Sequence, residues 1–495
     1  MPTQSFPGAP RRCVSSFLGP VAAALVAGGA GLAPLVPLSA LAAQPPVTLQ
    51  ARGDTLLVSL PDAVTRALNV GDEVRIADAQ EDATGAQLTV ARATALPQLR
   101  FTGGYTQTIE NARSTIVSSV FAQRYNYNGN VNLSMPLFQG GRAVAGMQGA
   151  RHTQASSRFA TAETRSQVTV DVQRAYLNAL AADQLVAIQE RNLALSTERV
   201  AQAEQLERGG RASRYDVLRV RVERTNLEPL AIQARNDREL AYLELKRLLN
   251  LPLERPLALT TTVSTDSTSV LAVLSRVASD TEPGERGLLR ASEEAVGARA
   301  AAVKVARADY LPTISVFFTT GYLALPATPG FPFRLGRASN DLCPVGSPDT
   351  RVCQNNGFFA DRSAGLQVSW PLFDGLRTKG NVDLAQANAR VADLQLAQTR
   401  ERVAVEVAQA RSAARRVTAL FQSQRANVAQ AEEAFRLAQL RQTRGLGTQL
   451  DVSDAQLALL TAQTNALRAT FDVYLAAADL DRALGRPIPL VGQSQ

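Results

Sequence analysis

The chain contains 495 residues, of which 45% are hydrophobic and only 5% aromatic, and alanine and glutamine are abundant in its long segments. That composition favours long helices packed through small side chains over a compact globule. The net charge of +8 comes from 49 arginines and 3 lysines against 44 acidic residues scattered along the predicted helices, which argues against nucleic-acid binding. The single histidine, His152, cannot supply a metal cluster or a catalytic triad. We therefore expect no enzyme activity, no metal and no cofactor.

The first 43 residues are predicted to be a secretory signal peptide. Arg11 and Arg12 precede an apolar, alanine-rich stretch, and small residues at 40–43 are consistent with cleavage near that point. Cys13 lies before the apolar stretch and not at its end, so no lipid-anchor cysteine is evident. After the signal no run of 18 apolar residues follows, so we predict no membrane-spanning helix.

The mature chain contains two cysteines, Cys343 and Cys353, in a segment rich in glycine, proline and asparagine. In an oxidising compartment we favour a disulfide within this loop. Two free thiols are the alternative.

The mature sequence repeats itself at an offset of 235 residues. The matching segments include 131–142 with 366–377, Val168 with Val403, Asp216-Val217 with Asp451-Val452, and Pro252 with Pro487. An offset that persists over more than a hundred residues requires the intervening helices to keep one length in both copies. We therefore predict two tandem structural repeats, at residues 44–260 and 261–495.

Each repeat contains a predicted pair of strands with one apolar and one uncharged polar face. The strands are expected at about 98–110 and 125–138, and at about 312–324 and 358–373, because apolar residues alternate there with Asn, Ser, Thr and Gly. Aromatic residues near the strand ends indicate membrane interfaces. They are Tyr105, Tyr125, Tyr127, Tyr322 and Trp370. The alternative is a sheet of a soluble protein with one face on a core.

Four strands cannot close a barrel, and an open sheet edge in lipid would leave backbone groups unpaired. If the strands cross a membrane, several chains must share one barrel, and three chains would supply twelve strands.

Long proline-free segments follow each strand pair and predict helices at 141–206 and 376–442, each about 100 Å long at a rise of ~1.5 Å per residue. Each ends at a glycine turn, and return helices are expected at 213–250 and 448–484. Shorter helices lead into the strands, from Pro61 to Ala95 and from about Pro283 to Tyr310. We expect the short helices to stack end to end beside the long ones, with Pro252, Pro256 and the Thr/Ser run in an irregular belt between them.

This ordered set of motifs resembles the TolC-like outer membrane factor family over nearly the whole mature chain. The motifs that carry the resemblance are Leu-Pro at 96–97 and 311–312, Pro-Leu-Phe-x-Gly at 136–140 and 371–375, and the Gly…Ser/Thr…Asp-Val turns at 210–217 and 445–452. The resemblance implies a mainly α fold with a membrane β-barrel: a homotrimer whose twelve-stranded barrel in the Gram-negative outer membrane continues as a twelve-helix α-barrel in the periplasm. It also implies partners, a periplasmic adaptor protein and an inner-membrane transporter.

At the two glycine turns, Ser213-x-x-Asp216 and Thr448-x-x-Asp451 have the spacing of a capping box, with Asp in place of Glu or Gln. By resemblance, Asp451 and Asp454 match a pair that lines the periplasmic constriction, while Asp216 and Tyr215 match positions that hold the closed state. The candidate partners of these acids are Arg214, Arg219 and Arg444. The residues expected to contact the adaptor are Gly209, Gly210, Gly445, Leu446 and Gly447.

These features predict an outer-membrane duct that passively conducts small toxic molecules delivered by a pump. An exit channel of a type I protein secretion system has the same architecture and is the alternative. A periplasmic coiled-coil protein that never crosses a membrane is an alternative of another class.

Overall fold

The computed structural model describes residues 51–52, 55–110, 125–261, 270, 272–273, 285–324, 334–335 and 357–489. These residues all belong to one compact unit, Val47–Gln495. The predicted signal peptide at 1–43 and the predicted disulfide between Cys343 and Cys353 lie outside the described residues.

The described part of the first repeat contains five strands and four helices. They are β1 (Ala51–Arg52), β2 (Thr55–Val58), α1 (Leu60–Val70), α2 (Asp72–Ala93), β3 (Gln98–Gln107), β4 (Tyr125–Gln139), α3 (Arg142–Arg208), α4 (Arg214–Leu248) and β5 (Leu257–Leu259). The described part of the second repeat contains α5 (Gly287–Arg307), β6 (Thr313–Ala324), β7 (Arg334–Leu335), β8 (Gly357–Ser369), α6 (Arg377–Thr443) and α7 (Gln449–Ala483). The long helices α3 and α6 have 67 residues each, and the return helices α4 and α7 have 35 each. The repeat thus preserves helix length, as the constant offset requires.

The long helix α3 is the centre of the helical layer. It packs against α2 and α4 of its own repeat and against α5 and α7 of the other repeat. The second long helix, α6, packs against α5 and α7. Helix α3 therefore has shorter helices of both repeats beside it, whereas the packing partners of α6 come from the second repeat. No helix in the described ranges is both long and apolar enough to cross a membrane.

The lead-in segment of the first repeat differs from the prediction of one continuous helix. It is broken at Gly71, which ends α1 and begins α2 with an extended backbone (φ −62°, ψ 135°). A side chain is excluded there because a Cβ would lie 2.3 Å from the carbonyl oxygen of Ala67. In the second repeat, α5 begins at Gly287, four residues later than predicted, and a short 3₁₀ turn at Ala308–Tyr310 leads into β6.

The belt predicted to be irregular contains a small sheet. Strand β2 pairs with β5 in parallel, Leu56 opposite Leu257, and with β1 in antiparallel. Tyr176 of α3 is fully buried beneath this sheet, where its hydroxyl donates to the carbonyl of Val58 (2.9 Å) and accepts from the amide of Thr261 (3.1 Å). The belt therefore fastens the segment between the repeats to the middle of α3.

The larger sheet has the order β3-β4-β6-β8-β7, and its first four strands form an antiparallel meander. The ladder between β4 and β6 shifts between Pro136 and Phe138, because proline cannot donate a ladder hydrogen bond. Large apolar side chains on one face of this sheet are exposed, for example Leu99 and Phe101 on β3 and Leu366 and Val368 on β8, at 59–72%. The chain does not bury this apolar face against its own interior.

Candidate functional site

The end of the helical layer farthest from the sheet consists of two tips, which we define as residues 209–216 (first tip) and 444–454 (second tip). Gly210 and Gly445, repeat counterparts, adopt left-handed backbone conformations with φ of 68° and 73°. The backbone amide that follows each glycine donates a hydrogen bond to a carbonyl of the preceding helix. Arg211 donates to Leu206 and Leu446 to Arg441, both at 2.8 Å. Glycine is required at these turns because other residues adopt positive φ only with strain.

Each return helix begins with the capping box expected from the sequence. In the first tip, the Ser213 hydroxyl accepts from the Asp216 amide (3.1 Å), and the Asp216 carboxylate accepts from the Ser213 amide (3.1 Å). In the second tip, Thr448 and Asp451 repeat the arrangement, at 3.3 Å and 2.9 Å. Asp therefore replaces the usual Glu or Gln as the reciprocal acceptor.

These hydrogen bonds stabilise the charged form of both carboxylates. The Ser213 hydroxyl and amide, with a smaller contribution from Arg219, lower the pKa of Asp216. The Thr448 amide and hydroxyl lower the pKa of Asp451, and Arg441 contributes less. Both side chains remain accessible to solvent, so each tip presents a fixed negative charge.

A polar contact between α4 and α7 ties the first repeat to the second near the tips. The Ser453 hydroxyl of α7 donates to the Glu223 carboxylate of α4 at 2.7 Å. Arg219 forms an ion pair with the same carboxylate at 3.4 Å. Ser453 is adjacent to Asp454 in the chain, so this contact lies next to the proposed constriction.

A half-buried guanidinium, that of Arg199 on α3, reaches the neighbouring helices one turn farther from the tips. It donates to the side chain of Gln456 on α7 and lies 5.5 Å from the centre of the Phe435 ring on α6. Burial lowers the pKa of Arg199, and the nearby Glu223 opposes that shift. Sequence reasoning missed Arg199, Glu223 and Gln456, because their partners are some 230 to 260 residues away and no local pattern marks them.

The other predicted tip residues are exposed. Tyr215 has 70% of its surface accessible and Leu446 has 73%. Arg214, Arg444 and Asp454 are exposed as well, and Arg444 caps the end of α6. Of the predicted arginine partners, only Arg219 forms an ion pair within the described part of the chain, and its partner is Glu223.

The predicted interfacial aromatics lie at the two ends of the larger sheet. Tyr105 pairs with Tyr127 across β3 and β4, with ring centres 4.8 Å apart, and Tyr125 and Tyr322 lie near the same end. Trp370 lies at the opposite end, just after β8, and its indole Nε1 donates to the carbonyl of Tyr310 at 3.2 Å. No group of three or more His, Cys, Asp or Glu residues within the described ranges is arranged to hold a metal ion.

Known structures share this fold. Similar solved structures include the outer membrane protein VceC of Vibrio cholerae, with 19% identity, a TM-score of 0.68 and coverage of 87% of this chain and 97% of that one. The Campylobacter jejuni CmeC outer membrane channel has 17% identity, a TM-score of 0.68 and coverage of 86% and 85%. The open state of the Neisseria gonorrhoeae MtrE outer membrane channel has 20% identity, a TM-score of 0.63 and coverage of 88% and 91%. A comparison with curated protein sequences gives no significant match.

Each repeat contributes two strands to one four-stranded meander, followed by a long helix and a shorter return helix, and this arrangement defines a TolC-like outer membrane channel fold. The sequence profile described as "Outer membrane efflux protein" matches residues 63–251 and 284–486. The chain belongs to this outer membrane efflux protein family. The family resemblance predicted from the sequence, and the location in the Gram-negative outer membrane with a large periplasmic helical portion, are thereby confirmed.

Proposed function

We propose that three copies of this chain form the exit duct of a tripartite export system. The observation that carries this proposal is the pair of open sheet edges. Within the described residues, β3 is hydrogen-bonded only to β4, and residues 359–369 of β8 pair with β6 on one side and with no described strand on the other, where the short β7 lies beside residues 357–358. In lipid these edges must pair, and three chains of four strands would close a twelve-stranded barrel in which the β8 of each copy meets the β3 of the next.

The helical layer supports the same ring. Helix α3 has α2 and α4 on one flank and α5 and α7 on the other. Helix α6 packs against α5 and α7 and has, within the described residues, no counterpart of α2 and α4 on its other flank. The missing neighbours correspond to α2 and α4 of another copy. Three chains joined in this way would form a closed tunnel of twelve helix positions.

The distance between the aromatic levels is suited to a bilayer. From Tyr127 to Gln139, the residue of β4 at the level of Trp370, the strand advances 12 residues. At ~3.3 Å per residue and a tilt of ~45° the two levels are about 28 Å apart, close to the hydrocarbon thickness of a membrane. A periplasmic coiled coil would leave the exposed apolar face of these strands unexplained.

The second tip is proposed to form the gate. In the ring, Asp451 and Asp454 of three chains would place six carboxylates around one opening, attracting cations and resisting anions. The closed state would be held by contacts of the first tip, with Asp216, Tyr215 and Arg219 near the Glu223–Ser453 contact, and Arg214 and Arg444 available to neighbouring chains. A periplasmic adaptor would bind the exposed turns at Gly209, Gly210, Gly445, Leu446 and Gly447 and open the gate.

The cargo is proposed to be small toxic molecules supplied by an inner-membrane transporter. The exit channel of a type I protein secretion system would use the same duct, and it would differ in the pump.

The test is the purified protein in detergent and in planar bilayers. We expect a heat-modifiable trimer from the outer-membrane fraction and a cation-selective conductance. The variant Asp451→Ala with Asp454→Ala should lose cation selectivity, whereas the exposed helix residue Asp393→Ala should not. A stable monomer would refute the duct, and unchanged selectivity in the double variant would refute the acidic ring alone.

A further inference from the structure

The two helices at opposite flanks of the layer, α2 and α6, each carry an exposed stripe of apolar and small residues. The α2 stripe consists of Ile76, Ala79, Ala83, Ala86 and Val90, and the α6 stripe of Gly380, Leu384, Ala387, Val391 and Leu394. Spacings of three and four residues place each set on one helix face. Ile76, Val90, Leu384, Val391 and Leu394 are 50–68% exposed. Two such stripes on one chain are complementary surfaces.

The chain itself contains a template for how they meet. Helix α3 packs against α5, and these are the repeat counterparts of α6 and α2. The offset is 235 residues from α3 to α6 and 215 from α2 to α5, as the Leu-Pro motifs at 96 and 311 and the N-cap residues Gly71 and Arg286 show. Each contact between α3 and α5 therefore specifies a corresponding pair on α6 and α2.

Two close contacts between α3 and α5 correspond to pairs of residues in the two stripes. A Cβ on Gly149 would lie 3.3 Å from the Cβ of Ala301, and the counterparts of these residues are Leu384 and Ala86. The Ser156 hydroxyl donates to the carbonyl of Ala291 at 2.7 Å, and the counterparts are Val391 and Ile76. Both translated pairs lie within the two stripes and run antiparallel.

We infer that the α6 stripe of one copy docks on the α2 stripe of a second copy in this register, Leu384 beside Ala86 and Val391 beside Ile76. The inference rests on the ring proposed above and specifies its seam. It also specifies the chemistry of the seam. The contact of α6 with α2 between copies is apolar, whereas the contact of α3 with α5 within a chain contains ion pairs.

The polar contacts and ion pairs of the joint within the chain have no ion-pair equivalent at the corresponding positions between copies. His152 and Glu294 lie 2.7 Å apart, and their counterparts are Ala387 and Ala79. Arg286, 5% exposed, forms an ion pair with Glu163 at 2.9 Å.

The counterparts of Arg286 and Glu163 are Gly71 and Gln398. Arg142 forms an ion pair with Asp309, and the counterparts of these two residues are Arg377 and Thr94. None of these three contacts therefore has an ion pair at the corresponding positions of the predicted seam between copies.

The register can be tested by disulfide cross-linking of the full-length protein in which Cys343 and Cys353 are serine. Leu384→Cys with Ala86→Cys should yield covalent dimers and trimers on oxidation, because the template places the Cβ atoms within disulfide range. Gly149→Cys with Ala301→Cys should cross-link only within a chain. Val391→Cys with Ala86→Cys, out of register by seven residues, should not cross-link.

Equal cross-linking of the in-register and out-of-register pairs would overturn the register. A native trimer that cross-links at neither pair would overturn the inference and leave the duct intact. A monomer would overturn both.

The chemistry of the seam can be tested by charge and by salt. Ile76→Asp should lower the trimer fraction at least about tenfold, because a carboxylate would be buried without a partner. Leu457→Asp, at an apolar residue of α7 that is as exposed as Ile76 (58% and 59%), should leave the trimer unchanged. The unaltered trimer should persist in about 1 M NaCl, where the screening length is ~3 Å. Dissociation by salt alone, or a trimer indifferent to Ile76→Asp, would overturn the apolar seam.

Discussion

The guanidinium of Arg286 donates to both carboxylate oxygens of Glu163, with Nε 3.0 and 3.2 Å and Nη2 2.9 Å from them. Arg286 also donates to the carbonyl of Ala483 (3.1 Å) and to Glu406 (3.0 Å). Glu406 in turn accepts from Arg482 of α7. Two arginines and two glutamates from α3, α5, α6 and α7 thus form one neutral, largely buried cluster between the repeats.

Removal of Arg286 should be strongly destabilising, because it leaves Glu163 and Glu406 partly buried without their main partner. Arg286→Ala is expected to cost about 3–5 kcal/mol and to lower the thermal unfolding midpoint followed by circular dichroism. The matched control is Arg290→Ala, one turn along the same helix, where the ion pairs with Glu285 and Glu293 are exposed and contribute little. Equal effects of the two substitutions would contradict a special role for the cluster.

The charge of Asp451 should persist in acid. Its pKa is lowered by the Thr448 amide and hydroxyl, so the carboxylate is protonated only below the usual value of 3.8. The stabilisation is present above the unfolded-state pKa and is lost as pH falls through the lower folded-state pKa. In the proposed ring, repulsion among six carboxylates raises their pKa values, so the capping bonds should keep cation selectivity to a lower pH than the same ring would show without them.

Thr448→Ala removes the hydroxyl and leaves the backbone donor, so the loss of selectivity should begin at a higher pH than in the unaltered channel. Reversal potentials measured across a series of pH values would show the shift. Thr443→Ala, at an exposed threonine whose hydroxyl bonds only its own helix, should not move it. A shift to lower pH in Thr448→Ala would contradict the capping-box explanation.

The contact between Ser453 and Glu223 should favour the closed tip. Ser453→Ala leaves Glu223 with its Arg219 partner but removes the link between α4 and α7. A hydrogen bond worth ~1 kcal/mol corresponds to an approximately fivefold shift in the ratio of open to closed channels. Single-channel recording should show the higher open probability, and Ser423→Ala, at an exposed serine of α6, should not. Unchanged gating in Ser453→Ala would show that this contact is not part of the latch.

The glycines of the tips should tolerate substitution less well than a glycine inside a helix. Gly445→Ala places a side chain at φ 73° and should cost about 1–2 kcal/mol. Gly146→Ala, in the interior of α3 with no atom within 4 Å of the added Cβ, should stabilise the helix by about 0.5–1 kcal/mol. Thermal unfolding of both variants would reveal the opposite signs, and a stabilising Gly445→Ala would contradict the turn geometry.

Local chemistry explains which parts of the fold the sequence could predict. The capping boxes at Ser213 and Thr448 and the turns at Gly210 and Gly445 depend on residues within four positions of one another, so short motifs specify them. The alternation of β4 likewise reflects a single strand. The long helices were predicted to within two residues because their ends carry these signals.

The remaining features depend on contacts between distant segments. Gly71 breaks an otherwise helical pattern, and nothing nearby in the sequence distinguishes it from Gly85, which stays helical. The pairing of β2 with β5 joins residues about 200 positions apart. Arg219 lies three residues after Asp216 in the sequence, but its ion pair is with Glu223, one turn farther along the same helix.

The divergence of Arg286 from Gly71 has an evolutionary consequence. A protein built from one half-length unit would need six identical subunits, which would meet at six identical joints. An ion pair such as Arg286–Glu163 would then be present at all six joints or at none. Because this chain carries two repeats with different residues at positions 71 and 286, alternate joints can differ in chemistry. A chimera built from two copies of the first half should preserve the lengths of the long and return helices yet lose these charge pairs, so the halves are not interchangeable.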